Sequence, residues 1–198
     1  WSPEDVNEAL NNAVQDTSGM VAVRDGQFIN AWFHSHAGGK TATAKEGLNH
    51  QEEEPIYVQN VDSPDSPEAP EEDAQWTAEY TKQEIIQAAN QSGTNISGVE
   101  DIQIGEKGPS GRAITISIAG EEISATELRK ALDSTKFKST LISNIAVEGD
   151  RVTIEGKGYG HGVGMSQWGA YAMAEEGKSA EEIVKHYFKD VDIVKLWD

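Results

Sequence analysis

GYGHGVGMSQWGAYAMAEEG, residues 158–177, sets Gly158, Gly160, Gly162 and Gly164 at alternate positions around one histidine, His161. It then turns into a helix-like run that opens with Ser166-Gln167-Trp168 and stops near Gly177. A strand candidate at 151–155 precedes it. A glycine-rich loop that feeds a helix N-terminus presents free N–H groups, which suit an anion or a polar ligand. The segment is not a P-loop, because GxxxxGK[ST] is missing, and no following strand and ribose-binding acid make it a dinucleotide unit. His161, Ser166, Gln167 and Tyr171 can converge on a ligand. The same residues also fit a tight strand-to-helix connection capped by Ser166. From the residues alone both readings stand.

Working outward, Ser2-Pro3-Glu4-Asp5 predicts a helix start, with a run to Asp16 and a stop at Gly19. Met20 to Arg24 and Gln27 to Ser35 read as strands joined by Asp25-Gly26, a type I′ hairpin signal. Along the second strand Phe28, Asn30, Trp32, His34 and His36 would share a face. Thr81 with Glu84, Ser124 with Glu127, and Ser179 with Glu182 match the capping box and predict three helices. Strand candidates lie near 99–104, 112–118, 121–124, 141–147 and 151–155, with tight turns at Ala119-Gly120 and Gly149-Asp150. The pattern predicts an α+β fold, mainly antiparallel strands and hairpins with about five helices against them. The acidic, proline-rich stretch beginning DSPDSPEAPEEDAQ at Asp62 reads as an exposed loop. It divides the chain into a first part at 1–61, the loop at 62–76 and a second part at 77–198.

The 198 residues carry a net charge of −18 and no cysteine. Without cysteine, disulfide frameworks, zinc–cysteine sites and thiol catalysis are excluded. The negative field repels polyanions and the basic residues are scattered, so nucleic acid is not an expected partner. No apolar run approaches the roughly 18 residues of a membrane span. The chain begins at Trp1 rather than methionine, which leaves room for removed upstream sequence.

Other residues able to do chemistry lie in two places. His34-Ser35-His36-Ala37-Gly38-Gly39-Lys40-Thr41 puts two histidines at i and i+2 on a strand, a workable metal-ligand geometry with His50 or His161 as a third ligand. No nearby carboxylate completes the set, so no metal is expected. Ser110-Gly111-Arg112 offers an arginine that can bind a carboxylate or simply balance an acidic surface. No GxSxG elbow supports a serine nucleophile.

GYGHGVGMSQWGAYAMAEEGKSAEEIVKHYF closely resembles the signature of the stage II sporulation protein D family, the SpoIID/LytB domain. Thr17-Ser18-Gly19-Met20-Val21, Phe33-His34-Ser35, Gly38-Gly39-Lys40-Thr41 and Val61-Asp62-Ser63-Pro64 follow the family's order. So do Ser110-Gly111-Arg112, Glu127-Leu128-Arg129 and Phe137-Lys138-Ser139. The resemblance implies a secreted or membrane-anchored bacterial wall protein. Sporulation members are lytic transglycosylases that cut glycan strands stripped of stem peptides, between N-acetylmuramic acid and N-acetylglucosamine, leaving 1,6-anhydro ends; other members enhance a wall amidase. One glutamate acts as general acid and then as base toward the C6 hydroxyl, without a second carboxylate to activate water. That glutamate, and a histidine–cysteine zinc site, precede the first hairpin in the family and have no counterpart here. The expectation is therefore a fragment whose catalytic acid lies upstream of Trp1, with Glu46 in a supporting role. The resemblance places His34, Ser35, Gly38, Gly39, Thr41, His161, Ser166, Gln167 and Tyr171 along a saccharide cleft, with Trp168 or Trp32 facing a sugar ring. Arg112, or the helix start at Ser166, would meet the muramic carboxylate. No cofactor is implied. The implied partners are peptidoglycan glycan strands and other wall hydrolases or sporulation proteins.

Overall fold

The computed structural model describes residues 7–197. In chain order the elements are α1 (Glu8–Asp16), β1 (Met20–Arg24), β2 (Gln27–Phe28), β3 (Phe33–His34), α2 (Ala44–Leu48), α3 (Glu71–Ala74), β4 (Gln75–Thr81), α4 (Lys82–Gln91), β5 (Ile102–Ile104), β6 (Thr115–Ile118), β7 (Glu121–Ser124), α5 (Ala125–Ala131), β8 (Ile142–Glu148), β9 (Arg151–Lys157), β10 (Met165–Ser166), α6 (Gln167–Glu175), α7 (Ala180–Tyr187) and β11 (Asp192–Lys195). Three antiparallel sheets, ordered β11-β1-β2, β4-β9-β8 and β5-β6-β7, and one parallel pair, β10-β3, make an α+β fold. The helix count exceeds the expected one because α2 and α3 are only 5 and 4 residues long and lack a periodic stripe.

The chain forms two compact units, one of Trp1–Ala31 with Asp190–Asp198, the other of Trp32–Lys189. In the first, Asp25 and Gly26 both adopt positive φ, 50° and 76°, as a type I′ turn requires, and β1 pairs with β2 and β11. The Ser2-Pro3 helix start lies outside the described residues. Among those described, Asn7 caps α1 through a bond from the Leu10 N–H at 3.0 Å.

The second unit holds the main core. Strand β4, QWTAEYT, alternates strictly, burying Trp76, Ala78 and Tyr80 and exposing the residues between them. It pairs in full register with β9, which buries Val152 and Ile154. Ile116, Ile118 and Ile123 of the β5-β6-β7 sheet, Ile85 of α4, Leu128 of α5 and Phe137 complete the same cluster. Thr81 and Ser179 form reciprocal capping boxes with Glu84 and Glu182. Ser124 caps α5, but Glu127 does not reach back; its carboxylate accepts from Lys130 at 2.9 Å instead. A third box, Thr43 with Glu46, opens α2.

Two expectations are corrected. The long strand through Ser35 is broken: β2 ends at Phe28 and β3 spans only Phe33–His34, so the five alternating residues do not share one sheet face. The stretch from Asp62 is not a plain exposed loop. Ser63, Ser66 and Asp73 are buried, and the Asp65 side chain keeps only 4% of its exposure.

Candidate functional site

The loop between β9 and β10 lies along residues 34–42. His36 and Tyr159 exchange backbone bonds of 3.0 and 2.9 Å, the Ala42 N–H reaches the Gly162 carbonyl at 2.7 Å, and the Met165 N–H reaches the Trp32 carbonyl at 3.0 Å. This close docking explains the alternate glycines. Gly160 has φ +106°, and a Cβ there would lie 2.7 Å from the His34 Cβ. Gly162 has φ +80°, and its Cβ would lie 2.4 Å from the Arg112 Cζ. Both demands, left-handed backbone and no room, leave glycine as the residue that fits. The space freed by these glycines is filled by the protein itself.

Two buried carboxylates hold this arrangement. Asp65 accepts the N–H groups of Ala37 (3.3 Å) and Gly39 (3.0 Å) and the hydroxyls of Ser63 (3.0 Å) and Ser166 (2.5 Å). The Tyr187 hydroxyl lies 2.9 Å from the Ser63 oxygen, and burial pushes that phenol up to about 12. His36 Nδ1 accepts the Gly38 N–H at 3.0 Å, so its 3.5 Å approach to Asp65 is a contact without a shared proton. Glu46, 1% exposed, accepts four bonds: the Thr43 N–H and hydroxyl at 2.9 and 3.1 Å, and the Ser110 N–H and hydroxyl at 2.8 Å each.

Arg112 is fully enclosed, neither a surface charge nor an open carboxylate binder. Its guanidinium donates to the carbonyls of Lys40 (2.8 Å) and Ala37 (2.6 Å) and to the Ser110 hydroxyl oxygen (3.2 Å). Ser110 thus stands between the Glu46 carboxylate and the Arg112 cation, and the three tie residues 37–47, 110–112 and the glycine loop together. Burial lowers the Arg112 pKa to about 10, opposed by Glu46 and Asp65, so the charge persists at neutral pH.

His34 and His161 stand with ring centres 5.7 Å apart. The His34 Nδ1–H donates to the Val163 carbonyl at 3.2 Å, and its buried Nε2 has no protein partner. Burial, then the Arg112 charge, lowers its pKa to about 3. His161 Nδ1 accepts the Val163 N–H at 3.0 Å, and the ring also bonds to the Phe33 backbone. Burial, then the Arg129 charge, lowers its pKa to about 4. Both rings are neutral at pH 7 and neither fits a proton donor there. His34 and His36 turn their nitrogens to different partners, and His50 packs edge-on to Trp32. No group of three or more histidine, aspartate or glutamate side chains suited to a metal ion occurs among the described residues.

Of the residues expected along a cleft, Thr41 and Ser166 are fully buried and bond inward, to the Gln59 carbonyl at 2.8 Å and to Asp65. The start of α6 is occupied as well. The Trp168 N–H donates to the Ser35 carbonyl at 3.1 Å and the Gly169 N–H to the Ser166 hydroxyl at 3.2 Å, so these donors are spent within the protein. Ser35, Gly38, Gly39, Gly160 and His161 retain exposure along the seam between the two loops. Gln167 is exposed, and Tyr171 donates to Glu68 at 2.8 Å. Trp168 is half-buried and packs edge-on to Tyr171 at 5.5 Å. Sequence reasoning missed Asp65, Ser110 as a bridge, and Asp73 with Lys138, whose ammonium and carboxylate meet at 3.0 Å beside the loop. The motifs Val61-Asp62-Ser63-Pro64 and Phe137-Lys138-Ser139 were the available pointers.

Residues 43–164 match the model of a domain of unknown function, DUF8618. The chain is similar to stage II sporulation protein D of Bacillus amyloliquefaciens, 33% identical over 185 residues, which is 93% of this chain and 50% of that protein. An uncharacterized protein of Brachyspira hyodysenteriae is 32% identical over 191 residues, 96% of this chain and 50% of that protein. The amidase enhancer of Bacillus subtilis is 27% identical over 234 residues, 92% of this chain and 32% of that protein. The chain spans about half the length of the first two relatives and a third of the last. The chain belongs to the family of the domain DUF8618, and over most of its length it is similar to stage II sporulation protein D and amidase enhancer proteins.

Proposed function

We propose that this chain forms the glycan-facing wall of an extracytoplasmic peptidoglycan lytic transglycosylase, acting in sporulation or wall remodelling on strands free of stem peptides. The observation that carries the reading is the seam itself. Two loops are locked together by buried carboxylates, and the edge left open presents Ser35, Gly38, Gly39, Tyr159, Gly160 and His161. A rigid edge of backbone amides, a hydroxyl and aromatic rings suits the hydroxyl and acetamido groups of a glycan strand. Thr41, Arg112, Ser166 and Glu46 serve as the supports behind that edge.

The chain's buried carboxylates do not fit the proton donor of such a reaction. A general acid needs a free oxygen to present to the leaving group. Both oxygens of Glu46, of Asp65 and of Asp73 are already engaged by protein donors. The acid is therefore sought outside these residues, in keeping with the family resemblance. The likeness to the amidase enhancer favours a second reading, in which the same edge holds glycan without cutting it and presents it to a wall amidase.

The test incubates the complete parent protein and, separately, residues 1–198 with stripped glycan strands, and looks for 1,6-anhydro products by mass spectrometry. The parent is expected to form them and residues 1–198 alone are not. A parent inactive beside a working lytic enzyme would leave the enhancer reading. Cutting by residues 1–198 would show that the proton donor lies within them.

A further inference from the structure

With Arg112 enclosed, a cation bonded to the glycine-rich loop through its own backbone is Lys138. Its carbonyl accepts the Gly160 N–H at 2.9 Å, and its ammonium stands 4.9 Å from the centre of the Tyr159 ring. The ammonium donates to Asp73 Oδ1 at 3.0 Å and lies 3.9 Å from Glu72. Asp73 Oδ2 accepts the Ser35 hydroxyl at 3.1 Å. The Lys138 and Asp73 side chains keep 14% and 12% of their exposure, against 79% for Glu72. Three separate segments therefore meet in one hydrogen-bonded triad whose rim reaches solvent beside an aromatic ring.

Each charge in the triad has a partner, which makes its near-burial tolerable. Bonding capacity still remains. The ammonium keeps two further N–H donors, and the Ser35 oxygen keeps its lone pairs. A donor and an acceptor held on the two oxygens of one carboxylate match a sugar hydroxyl, which gives and takes one hydrogen bond. The Tyr159 ring beside them offers the apolar contact that a pyranose presents on its face. A carboxylate fits less well. The Lys138 charge is already shared between Asp73 and Glu72, so an incoming anion meets net negative charge at short range.

Resting on the glycan reading above, we propose that Ser35, Asp73 and Lys138 form a hydroxyl-binding subsite for the neutral N-acetylglucosamine unit of the strand, with Tyr159 beside its ring. The carboxylate of the neighbouring muramoyl unit is then held elsewhere.

Calorimetric titration of the folded chain with chitotetraose, a neutral N-acetylglucosamine oligomer, and with stripped glycan strands tests this. The wild type is expected to bind both. Ser35→Ala, which leaves the Lys138–Asp73 pair in place, and Lys138→Gln should each weaken chitotetraose binding about ten-fold or more. If Lys138→Gln does not fold, Ser35→Ala decides. The subsite is overturned if the wild type binds strands but not chitotetraose, or if a folded variant binds chitotetraose as tightly as the wild type. A wild type that binds neither ligand contradicts the glycan reading itself, so the two failures are distinct.

Discussion

Gly162 shows how a single residue governs the candidate site. Its positive φ and its contact with the Arg112 guanidinium are separate constraints, and alanine violates both. Left-handed backbone costs about 1–2 kcal/mol for a residue with a Cβ, and overpacking adds about 1–3 kcal/mol. Gly162→Ala should therefore lose about 2–5 kcal/mol in urea unfolding, whereas Gly149→Ala, with open space at its Cβ, should lose only the backbone part. Equal losses would argue against the packing seen around Arg112. The histidines give a second test at this scale. The folded pKa values of His34 and His161, about 3 and about 4, lie below the ordinary 6.5. The unfolded chain therefore binds more protons than the folded one once the pH drops through 6.5. Stability is full above that pH and falls as the pH falls toward the folded values, by up to about 1.4 kcal/mol per pH unit for each ring. Unfolding curves between pH 7 and 5, above the usual carboxylate range, should show the decline, and His161→Gln should reduce its slope. A flat profile would mean that the rings are not buried neutral.

Among the elements, the helix starts separate what a local pattern can reveal from what it cannot. Ser179 and Glu182 satisfy each other's backbone donors, and so do Thr81 and Glu84, because both partners sit within one turn. Ser179→Ala should cost about 1 kcal/mol. Glu127 has the same spacing from Ser124 but pairs with Lys130 on an exposed surface, so Glu127→Ala should change stability by less than about 0.5 kcal/mol. Thermal unfolding of the two variants checks the contrast, and a reversed order would contradict the cap assignments. The hairpin turn at Asp25-Gly26, the helix start at Ser166 and the β8–β9 turn at Gly149 were legible because short-range backbone chemistry fixes them. Strand β4 was hidden between a proline-rich run and a capping box, although its apolar residues alternate cleanly. The buried role of Asp65 had no local signal. Its donors come from residues 37, 39, 63 and 166, three of them distant in sequence, and its neighbours are prolines and acids that suggest solvent.

For the whole molecule, the identities of the site residues were more legible than their duties. The motif residues meet along one seam, where Arg112, Thr41 and Ser166 face inward and Asp73 and Lys138 lie at the edge. A sequence motif records that a residue type is needed at a place and does not say whether it holds the wall or touches the ligand. The strongly acidic composition fits this picture. With a net charge of −18, the chain does not attract a polyanion by its overall field, so a glycan would be held by short-range hydrogen bonds and ring contacts. Such binding should not weaken as salt rises, unlike binding by counterion release. Backbone amide NMR of residues 1–198, titrated with stripped glycan strands, measures the central claim directly. The account predicts saturable shifts concentrated at Ser35, Gly38, Gly39, Lys138 and Tyr159 to His161. Absence of binding, or shifts confined to surfaces away from this seam, would contradict it.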